Sequence, residues 1–270
     1  MPLVSPREIL PPAFAQGRLV GAFNTGNLEM TMGILRAAEE HGAPVLLQIA
    51  EKRLPYSPLA LMGPLMTEAA RQAKIPVAVQ LDHGESDAVI EAALAYGFTG
   101  VMFDGSALPL EENIRRTSQL STPWLEGEIG VLSGSEGGPE AEALHSDPAE
   151  AQRFAEESGC DALAVSIGNA HGRYKGRPKL NFAILEEIRR RTAVPLVLHG
   201  GSGIPEEDLR RAVNLGICKI NIATASFEAL HRGAYAGPPA ADCFALSEAM
   251  VQSVYGSTKR HLEMFERVGR

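Results

Sequence analysis

The stretch V194-P-L-V-L-H-G-G-S-G203 joins a short aliphatic run to a glycine-rich end. An apolar run bounded in this way predicts a buried parallel strand whose C-terminal end opens into a loop. The stretches V77-A-V-Q-L-D-H-G84 and A164-V-S-I-G-N-A-H-G172 have the same form. His83, His171 and His199 are therefore predicted at the ends of three different strands.

Strand and helix patterns alternate on both sides of these stretches. The predicted strands cover 19–24, 44–50, 77–82, 100–105, 124–130, 162–168, 194–200 and 217–223. The predicted helices cover 28–41, 58–73, 86–96, 109–118, 147–158, 181–191 and 205–215, followed by a final helical region. Eight alternating units predict an α/β fold, a TIM (β/α)8 barrel, as a single domain over residues 1–270. Ser5-Pro6-Arg7-Glu8 predicts a short helix before the barrel, interrupted at Pro11-Pro12.

Composition excludes several functional classes. The net charge of −8 argues against a nucleic-acid surface, so a bound phosphate would need local devices such as a helix N-terminus or a metal. The start of the chain lacks the pattern of a signal peptide, and no window is apolar enough to cross a bilayer. We therefore expect a cytoplasmic protein with no membrane partner. The three cysteines cannot all pair with one another and are expected to be buried thiols.

The three histidines predict a metal centre. Imidazole is a common zinc ligand, and three protein ligands with one open position describe a catalytic zinc site. Taken alone, any one of them is more often a hydrogen-bonded structural histidine, but three at equivalent strand ends reverse that preference and favour the metal. Asp82 precedes His83, and at a strand end both side chains can turn to the same side. One of the two could then bind the metal while the other transfers protons. Alternatively, Asp82 caps the helix that begins near Ser86.

Polar residues stand at the ends of most predicted strands. In this fold the active site lies at the C-terminal ends of the strands. One bowl is therefore predicted to collect Asn24, Asp82, His83, Asp104, Glu128, His171, His199 and Asn221.

Two loops predict a phosphate site. G200-G-S-G203 follows strand seven and N221-I-A-T224 follows strand eight, the two loops that commonly bind phosphate in TIM barrels. Glycines let the backbone approach an anion, and helix N-terminal amides bind it.

Two further loops carry charged residues. V131-L-S-G-S-E-G-G-P-E-A-E142 is rich in glycine, and its Glu136 is a candidate acid or base on a loop that closes over substrate, or part of a solvated acidic loop. R173-Y-K-G-R-P-K179 is expected to be a solvated basic loop, although its place beside His171 permits a substrate contact.

These motifs together resemble those of the class II, metal-dependent ketose-bisphosphate aldolases, the family that includes fructose-bisphosphate and tagatose-bisphosphate aldolases. The matching segments run from Leu3 to about Thr224: G21-A-F-N, L81-D-H-G, G97-F-T-G-V-M-F-D-G-S, E111-E-N, E126-G-E-I-G, A170-H-G-R-Y-K-G-R-P-K-L, V197-L-H-G-G-S-G-I-P and C218-K-I-N-I-A-T.

The resemblance implies a role for each matching position. His83, His171 and His199 would bind the catalytic zinc, or cobalt in its place, and Asp104 and Glu128 could hold a second metal with His83. Asp82 would move the proton at the substrate's C4 oxygen, and Glu136 the proton at the dihydroxyacetone-phosphate carbon. The phosphate would be bound by Gly172, Gly200, Gly201, Ser202, Gly203, Asn221, Ile222, Ala223 and Thr224, with Asn221 near the enediolate and Asn24 facing the same bowl. The resemblance also implies a monovalent cation, K⁺ or Na⁺, near Gly172 and Lys175.

The chain departs from the family pattern mainly at the far end of the substrate. Ala50-Glu51-Lys52-Arg53 replaces a serine-glutamate-glycine stretch, and Ala107 replaces a common histidine. No Asp-Pro-Arg segment follows Thr224, and Ala223 is similar to the tagatose-type branch. The resemblance therefore implies a site for the donor phosphate but does not identify residues for the second phosphate.

The predicted function is a zinc aldolase that reversibly cleaves a phosphorylated ketose of the tagatose- or fructose-1,6-bisphosphate kind. Its products would be dihydroxyacetone phosphate and an aldehyde such as glyceraldehyde 3-phosphate. We expect the protein to form a homo-oligomer, either a dimer or a tetramer. One alternative is a class II aldolase for another acceptor, such as a deoxy-ketogluconate phosphate or an unphosphorylated or sulfonated aldehyde. Another is a non-catalytic sugar-phosphate-binding accessory subunit.

Overall fold

Eight parallel strands form a closed barrel in the order in which they occur along the chain. The structure is a computed structural model, and it describes residues 2–132, 145–174, 176–237 and 240–269. The strands are β1 (Val20–Asn24), β2 (Val45–Ala50), β3 (Val77–Gly84), β4 (Gly100–Phe103), β5 (Leu125–Ile129), β6 (Ala162–Val165), β7 (Leu196–Leu198) and β8 (Ile217–Ile222). The predicted eight-unit α/β barrel is confirmed.

Helices connect the strands and cover the outside of the barrel. They are α1 (Pro6–Ala15), α2 (Leu28–His41), α3 (Leu59–Gln72), α4 (Asp87–Ala95), α5 (Leu110–Ser118), α6 (Pro148–Ser158), α7 (Phe182–Arg191), α8 (Glu206–Asn214), α9 (Thr224–Tyr235) and α10 (Cys243–Val268). Their ends follow local chemistry. The side chain of Asn27 accepts a hydrogen bond from the Met30 amide at the start of α2, and Gly42 ends that helix with φ of +70°.

The N-terminal helix is longer than predicted. The Ser5–Glu8 capping box is present, but α1 continues through Pro11 and Pro12 to Ala15, so the expected interruption is wrong. Each proline lacks an N–H and removes one helical hydrogen bond. Leu10 is fully buried among the inward-facing residues of the barrel. The burial of this helix face outweighs the two lost hydrogen bonds, and α1 closes the N-terminal end of the barrel.

The barrel interior changes from apolar to polar along the strands. Apolar side chains that pack with α1 fill its N-terminal part: Val20, Ala22, Leu46, Ala78, Met102, Ala162, Ala164 and Val197. Two residues further along several strands the inward positions are polar: Asn24, Gln48, Gln80, His199 and Asn221. A second apolar core lies between the strands and the outer helices. Polar groups are therefore concentrated toward the C-terminal ends.

The C-terminal region consists of α9 and the long helix α10, which packs against α2 and α9. Gly33 permits this packing, because a Cβ atom there would lie 2.8 Å from the Val251 carbonyl oxygen. Cys160 and Cys218 are buried as predicted, but Cys243 is exposed, because it begins α10 at the surface. Within the described ranges, no helix combines the length and apolarity needed to cross a membrane.

Candidate active site

A cavity of about 460 Å³ opens at the C-terminal ends of the strands. The predicted site residues that line it are Asn24, Asp82, His83, Asp104, Glu128, His171, Gly172, Gly200, Ser202, Asn221, Ala223 and Thr224. His199 lies directly beneath, with its side chain 1% exposed and in contact with His83. Gly201, Gly203 and Ile222 are not among the lining residues, and Ile222 packs in the outer core. We refer to this cavity as the bowl.

A bulge near the end of β3 turns Asp82 and His83 toward the bowl. Leu81 pairs with Val101 and Gly84 pairs with Phe103, so β3 contains one more residue than β4 over this interval. Within the bulge, His83 has φ of +45°, which is unusual for a residue with a side chain. Such a bulge re-aims a side chain that a regular strand would direct to the opposite face.

The three histidine rings meet at one point. The ring centroid of His83 lies 4.9 Å from that of His171 and 4.7 Å from that of His199. Nε2 of His83 is 2.9 Å from Nδ1 of His199. Each ring offers one nitrogen to this point, and the three nitrogens all lie within 4.8 Å of one another. This donor set fits a zinc ion, for which three imidazoles leave one position open to a substrate.

Carboxylates surround the outer side of His83. Nδ1 of His83 lies 2.7 Å from Oδ2 of Asp104, whose other oxygen accepts hydrogen bonds from the amide and hydroxyl of Ser106. Oε2 of Glu128 is buried, has no hydrogen-bond partner in the part of the chain that the structure describes, and lies 3.5 Å from the same ring nitrogen. His83, Asp104 and Glu128 form a second group with metal-binding spacing.

Charge and burial set opposite protonation preferences for these rings. Burial lowers the pKa of His83, but Asp82, Asp104 and Glu128 outweigh it and raise that pKa to about 10 in the metal-free protein. Burial and the neighbouring rings lower the pKa of His171 to about 3. Burial and the charge of Asp104 raise the pKa of Glu128 well above its usual value. A metal ion held by His83 would therefore have to displace a proton from its ring.

Asp82 is held between two amides. Nδ2 of Asn24 donates to Oδ2 of Asp82 at 2.9 Å, and Nδ2 of Asn221 donates to Oδ1 at 2.9 Å. Burial opposes ionisation of Asp82, but His83, His199 and Lys219 lower its pKa. The carboxylate is therefore ionised and held in one orientation. The two Asn carbonyl oxygens have no partner among the described residues.

Asp82 does not take the alternative role of a cap of α4, because its oxygens accept from Asn24 and Asn221, and Glu51 binds the amides just before that helix. Oε2 of Glu51 accepts hydrogen bonds from the amides of Glu85 and Ser86 at 2.7 and 3.2 Å, just before α4. Oε1 of Glu51 accepts from the Ser86 hydroxyl. Glu51, part of the segment that departs from the family pattern, thus joins the loops after β2 and β3.

The two predicted phosphate loops form one connected unit. Gly201 donates its amide to the Asn221 carbonyl at 3.0 Å, and the Ser202 hydroxyl accepts from the Ala225 amide at 3.1 Å. Gly200 has φ of +64° and lies against the loop after β6, where a Cβ would be 2.0 Å from the Ala170 carbonyl oxygen. These contacts place Gly200 and Ser202 beside the first turn of α9, where helix amides favour an anion.

Tyr174 was not among the predicted site residues, although it lies in the predicted basic loop. Its hydroxyl donates to the Gly200 carbonyl at 3.0 Å and accepts from the Ala170 amide at 3.1 Å. It thereby joins the loops after β6 and β7. The charged neighbours Arg173 and Arg177 are exposed and form ion pairs with Glu228 and Glu207.

A buried charged cluster beneath the bowl was also missed. Nζ of Lys219 donates to both oxygens of Glu126, at 3.0 and 2.8 Å, and Nε2 of Gln80 donates to Oε2 at 3.0 Å. Nε2 of His199 lies 3.0 Å from Oε1 of the same carboxylate. Polar residues recur at every second position of two strands, at Glu126 and Glu128 and at Lys219 and Asn221. This spacing could have indicated that these side chains share the inner face.

The far side of the bowl contains two cations. Lys52 and Arg116 line the cavity near Ala107 and Leu108. Lys52 is 3.2 Å from Glu85, and Arg116 pairs with Asp87 at 2.7 Å. Glu136 and Lys175 lie outside the described residues.

Comparisons with known proteins agree with this geometry. The sequence profile of the family described as fructose-bisphosphate aldolase class-II matches residues 4–270. The chain is 42% identical over 236 residues to a fructose-bisphosphate aldolase of Geobacillus stearothermophilus, covering 83% of this chain and 82% of the relative. A probable fructose-bisphosphate aldolase of Bacillus subtilis (strain 168) gives the same identity and coverage.

Solved structures extend the comparison to almost the whole chain. The YdjI aldolase from Escherichia coli K12 is 32% identical, with a TM-score of 0.87 and coverage of 97% of both chains. A putative fructose-1,6-biphosphate aldolase from Coccidioides immitis is 26% identical, with a TM-score of 0.88 and coverage of 97% of this chain and 96% of the other. The chain, with its closed barrel and its converging histidines, belongs to the class II, metal-dependent fructose-bisphosphate aldolase family.

Proposed function

We propose that this enzyme is a zinc-dependent aldolase that reversibly cleaves a phosphorylated ketose of the tagatose- or fructose-1,6-bisphosphate kind. Its products are dihydroxyacetone phosphate and an aldehyde. The observation that carries the proposal is the convergence of His83, His171 and His199 beside an ionised Asp82. We also propose that the whole chain is one aldolase domain and that it forms a dimer or tetramer.

The residues of the bowl divide the reaction between them. Asp82, fixed by Asn24 and Asn221, removes the C4 hydroxyl proton, and loss of this proton starts cleavage of the C3–C4 bond. Zinc held by the three histidines would stabilise the negative charge that develops on the donor fragment. In the reverse direction Asp82 returns the proton to the new C4 oxygen. We assign proton transfer at the dihydroxyacetone-phosphate carbon to Glu136.

The donor phosphate is assigned to the loops after β7 and β8. Gly172, Gly200, Ser202 and Thr224 line the bowl on one side, and the first turn of α9 begins there. The net charge of −8 gives no general attraction for an anion, so this local arrangement must provide it. We propose that the remaining residues of both loops, including Gly201, Gly203, Ile222 and Ala223, support the same site. A monovalent cation near Gly172 and Lys175 completes the proposal.

A lysine-based mechanism is less consistent with the bowl. Lys52 is the single lysine among the described lining residues, and it lies on the far side, paired with Glu85. Lys219 is closer to the histidines, but it is fully buried and paired with Glu126. A Schiff base would need an unpaired amine beside the substrate carbonyl.

Metal removal tests the proposal. Exhaustive chelation should abolish cleavage of the bisphosphate, and added zinc or cobalt should restore it. Each metal preparation is assayed with and without potassium to measure the effect of a monovalent cation. Full cleavage by metal-free protein, or trapping of substrate onto a lysine by borohydride, would contradict the assignment.

A different acceptor is the second candidate, and the far side of the bowl favours it. Ala50 and Ala107 bring no hydroxyl or imidazole of their own to the bowl, the Ser106 hydroxyl donates to Asp104, and Lys52 and Arg116 are paired with carboxylates. Arg53 stacks on Phe227 at 4.3 Å and does not line the bowl. We therefore expect strict selection of the donor but weaker selection of a phosphorylated acceptor.

An acceptor series measures this difference. We compare kcat/KM for glyceraldehyde 3-phosphate and unphosphorylated aldehydes in the synthesis direction. A single charge-assisted contact is worth about 1.5–3 kcal/mol, or roughly 10- to 150-fold. Lys52→Met and Arg116→Met should reduce the preference for phosphate, whereas Arg173→Met, which removes an exposed cation outside the bowl, should not. A preference above about 10³-fold in the wild type would contradict loose selection.

A further inference from the structure

The charged cluster beneath the bowl is fully buried and lies outside the cavity lining. Glu126 and Lys219 are both 0% exposed, and Gln80 is equally buried. Burying an ion pair is costly unless its geometry is good and its remaining polar atoms are satisfied. Both oxygens of Glu126 meet this condition, since they receive hydrogen bonds from Lys219, Gln80 and the histidine ring above.

His199 connects this cluster to the metal centre. Nδ1 of His199 faces His83, and Nε2, on the opposite side of the ring, lies 3.0 Å from Oε1 of Glu126. An ionised carboxylate only accepts hydrogen bonds, so Nε2 must donate and therefore carries the proton. The neutral ring then presents the lone pair of Nδ1 to the point where the three histidines meet. Nδ2 of Asn221 lies 3.2 Å from Nε2 but donates a hydrogen bond to Asp82.

Lys219 and Gln80 determine what Glu126 can do. Lys219 donates to both oxygens of Glu126 and supplies the opposite charge that a buried carboxylate needs, so Oε1 remains an acceptor that faces the N–H of His199. Gln80 donates to Oε2, the oxygen remote from His199, and so fixes the rotation of the carboxylate. The strands that provide these residues differ from the strand of His199, so the closed barrel is needed to bring them together.

We propose that Glu126, Lys219 and Gln80 form a positioning cluster that fixes the tautomer and orientation of His199 and thereby sets the affinity of the metal centre. The inference rests on the proposed role of His199 as a zinc ligand. Carboxylates that accept from the second nitrogen of a metal-binding histidine typically contribute 10- to 100-fold in metal affinity. No member of the cluster lines the bowl, so its effect acts through His199.

Zinc affinity of the metal-stripped protein tests the cluster without any activity assay. Glu126→Gln should raise the zinc Kd by 10- to 100-fold, measured by competition with a chromophoric chelator. Because Glu126→Gln or Lys219→Met alone leaves one buried partner uncompensated and can impair folding, the double variant Glu126→Gln/Lys219→Met is the decisive one. It removes both charges, should fold, and should still bind zinc 10- to 100-fold more weakly.

Two control variants separate positioning from general damage. Met102→Leu changes an inward-facing core residue, and Lys259→Met removes a lysine paired with Glu40 on the surface, and both should keep wild-type zinc affinity. The cobalt-substituted double variant should also have a visible absorption spectrum different from that of the wild type. A folded double variant with unchanged zinc affinity and unchanged cobalt spectrum would overturn the proposal.

The variant His199→Ala distinguishes failure of the positioning cluster from failure of the zinc assignment. If His199→Ala weakens zinc binding strongly and the double variant does not, the positioning cluster is refuted and the zinc assignment stands. If His199→Ala leaves zinc affinity unchanged, the metal ligand itself has been misassigned and the proposed function fails first.

Discussion

Asp82 and His83 are consecutive residues, yet both side chains line the same cavity. The bulge opposite β4 and the φ of +45° at His83 make this possible. The proposed proton acceptor and a proposed metal ligand are thus one peptide unit apart and can be altered separately. Asp82 also has partners of its own, since Asn24 and Asn221 each donate to one of its oxygens.

Asp82→Asn should retain zinc and lose aldol cleavage by ~10²- to 10⁴-fold, the usual contribution of a general acid–base group. The reason is that an amide cannot accept the C4 proton, whereas the three histidines are unchanged. Zinc content and kcat are measured on the same preparation, with Asp147→Asn at the start of α6 as the matched control. Loss of zinc from Asp82→Asn, or cleavage at the wild-type rate, would contradict the division of roles.

Glu136→Gln should slow the exchange of the dihydroxyacetone-phosphate proton with solvent, even when no aldehyde is present. An uncharged amide cannot remove this proton, and we expect a decrease of ~10²-fold or more. Exchange is followed by NMR in deuterated water. Glu142→Gln, on the same loop, should exchange normally. Equal exchange rates in Glu136→Gln and the wild type would show that the wrong carboxylate was assigned.

Gly200→Ala should weaken binding of dihydroxyacetone phosphate by roughly tenfold or more, since a strained backbone position costs on the order of 1–3 kcal/mol. The new Cβ would lie 2.0 Å from the Ala170 carbonyl oxygen at a φ of +64°, so the loop must move. Binding is measured by calorimetry. Gly176→Ala is the control, because a Cβ there has no neighbour within 4 Å. If Gly200→Ala binds dihydroxyacetone phosphate with unchanged affinity, the assignment of this loop to the phosphate site is wrong.

The metal-free protein should lose stability in acid partly through Glu126. Burial alone would raise its pKa, but Lys219 and His199 outweigh burial and lower it to about 2. Because the pKa of Glu126 is lower in the folded protein than in the unfolded chain, Glu126 stabilises the fold at pH values above its ordinary pKa of 4.5. This stabilisation is lost as the pH falls toward 2. Its size is on the order of 3 kcal/mol at 1.36 kcal/mol per pKa unit.

The measurement is the free energy of unfolding of metal-free protein between pH 2 and pH 5. Its slope should be smaller in the Glu126→Gln/Lys219→Met variant than in the wild type, because the variant has no carboxylate to protonate at this position. Other buried carboxylates, such as Asp104, titrate in both proteins and cancel in the comparison. Parallel curves would mean that the pKa of Glu126 is the same in the folded and unfolded protein, which would contradict this prediction.

The sequence by itself determined the barrel and most of the candidate site. Apolar runs that end in glycine identify strand ends, and in an eight-unit parallel barrel all such ends face one side. His83, His171 and His199 could therefore be grouped without coordinates. The error at Pro11-Pro12 has a physical reason, since helix propensity is local, whereas burial of Leu10 in the closed end of the barrel is not.

The tertiary structure decided how those residues are oriented and supported. The positive φ of His83 depends on a register shift against β4, and Glu51 binds the amides just before α4 only because the loops after β2 and β3 are adjacent. Lys219 meets Glu126 across 93 residues of sequence, inside a barrel that must first close. Two-residue alternation predicts which side chains point inward, but the partner that each one meets depends on the stagger between strands, which alternation does not encode.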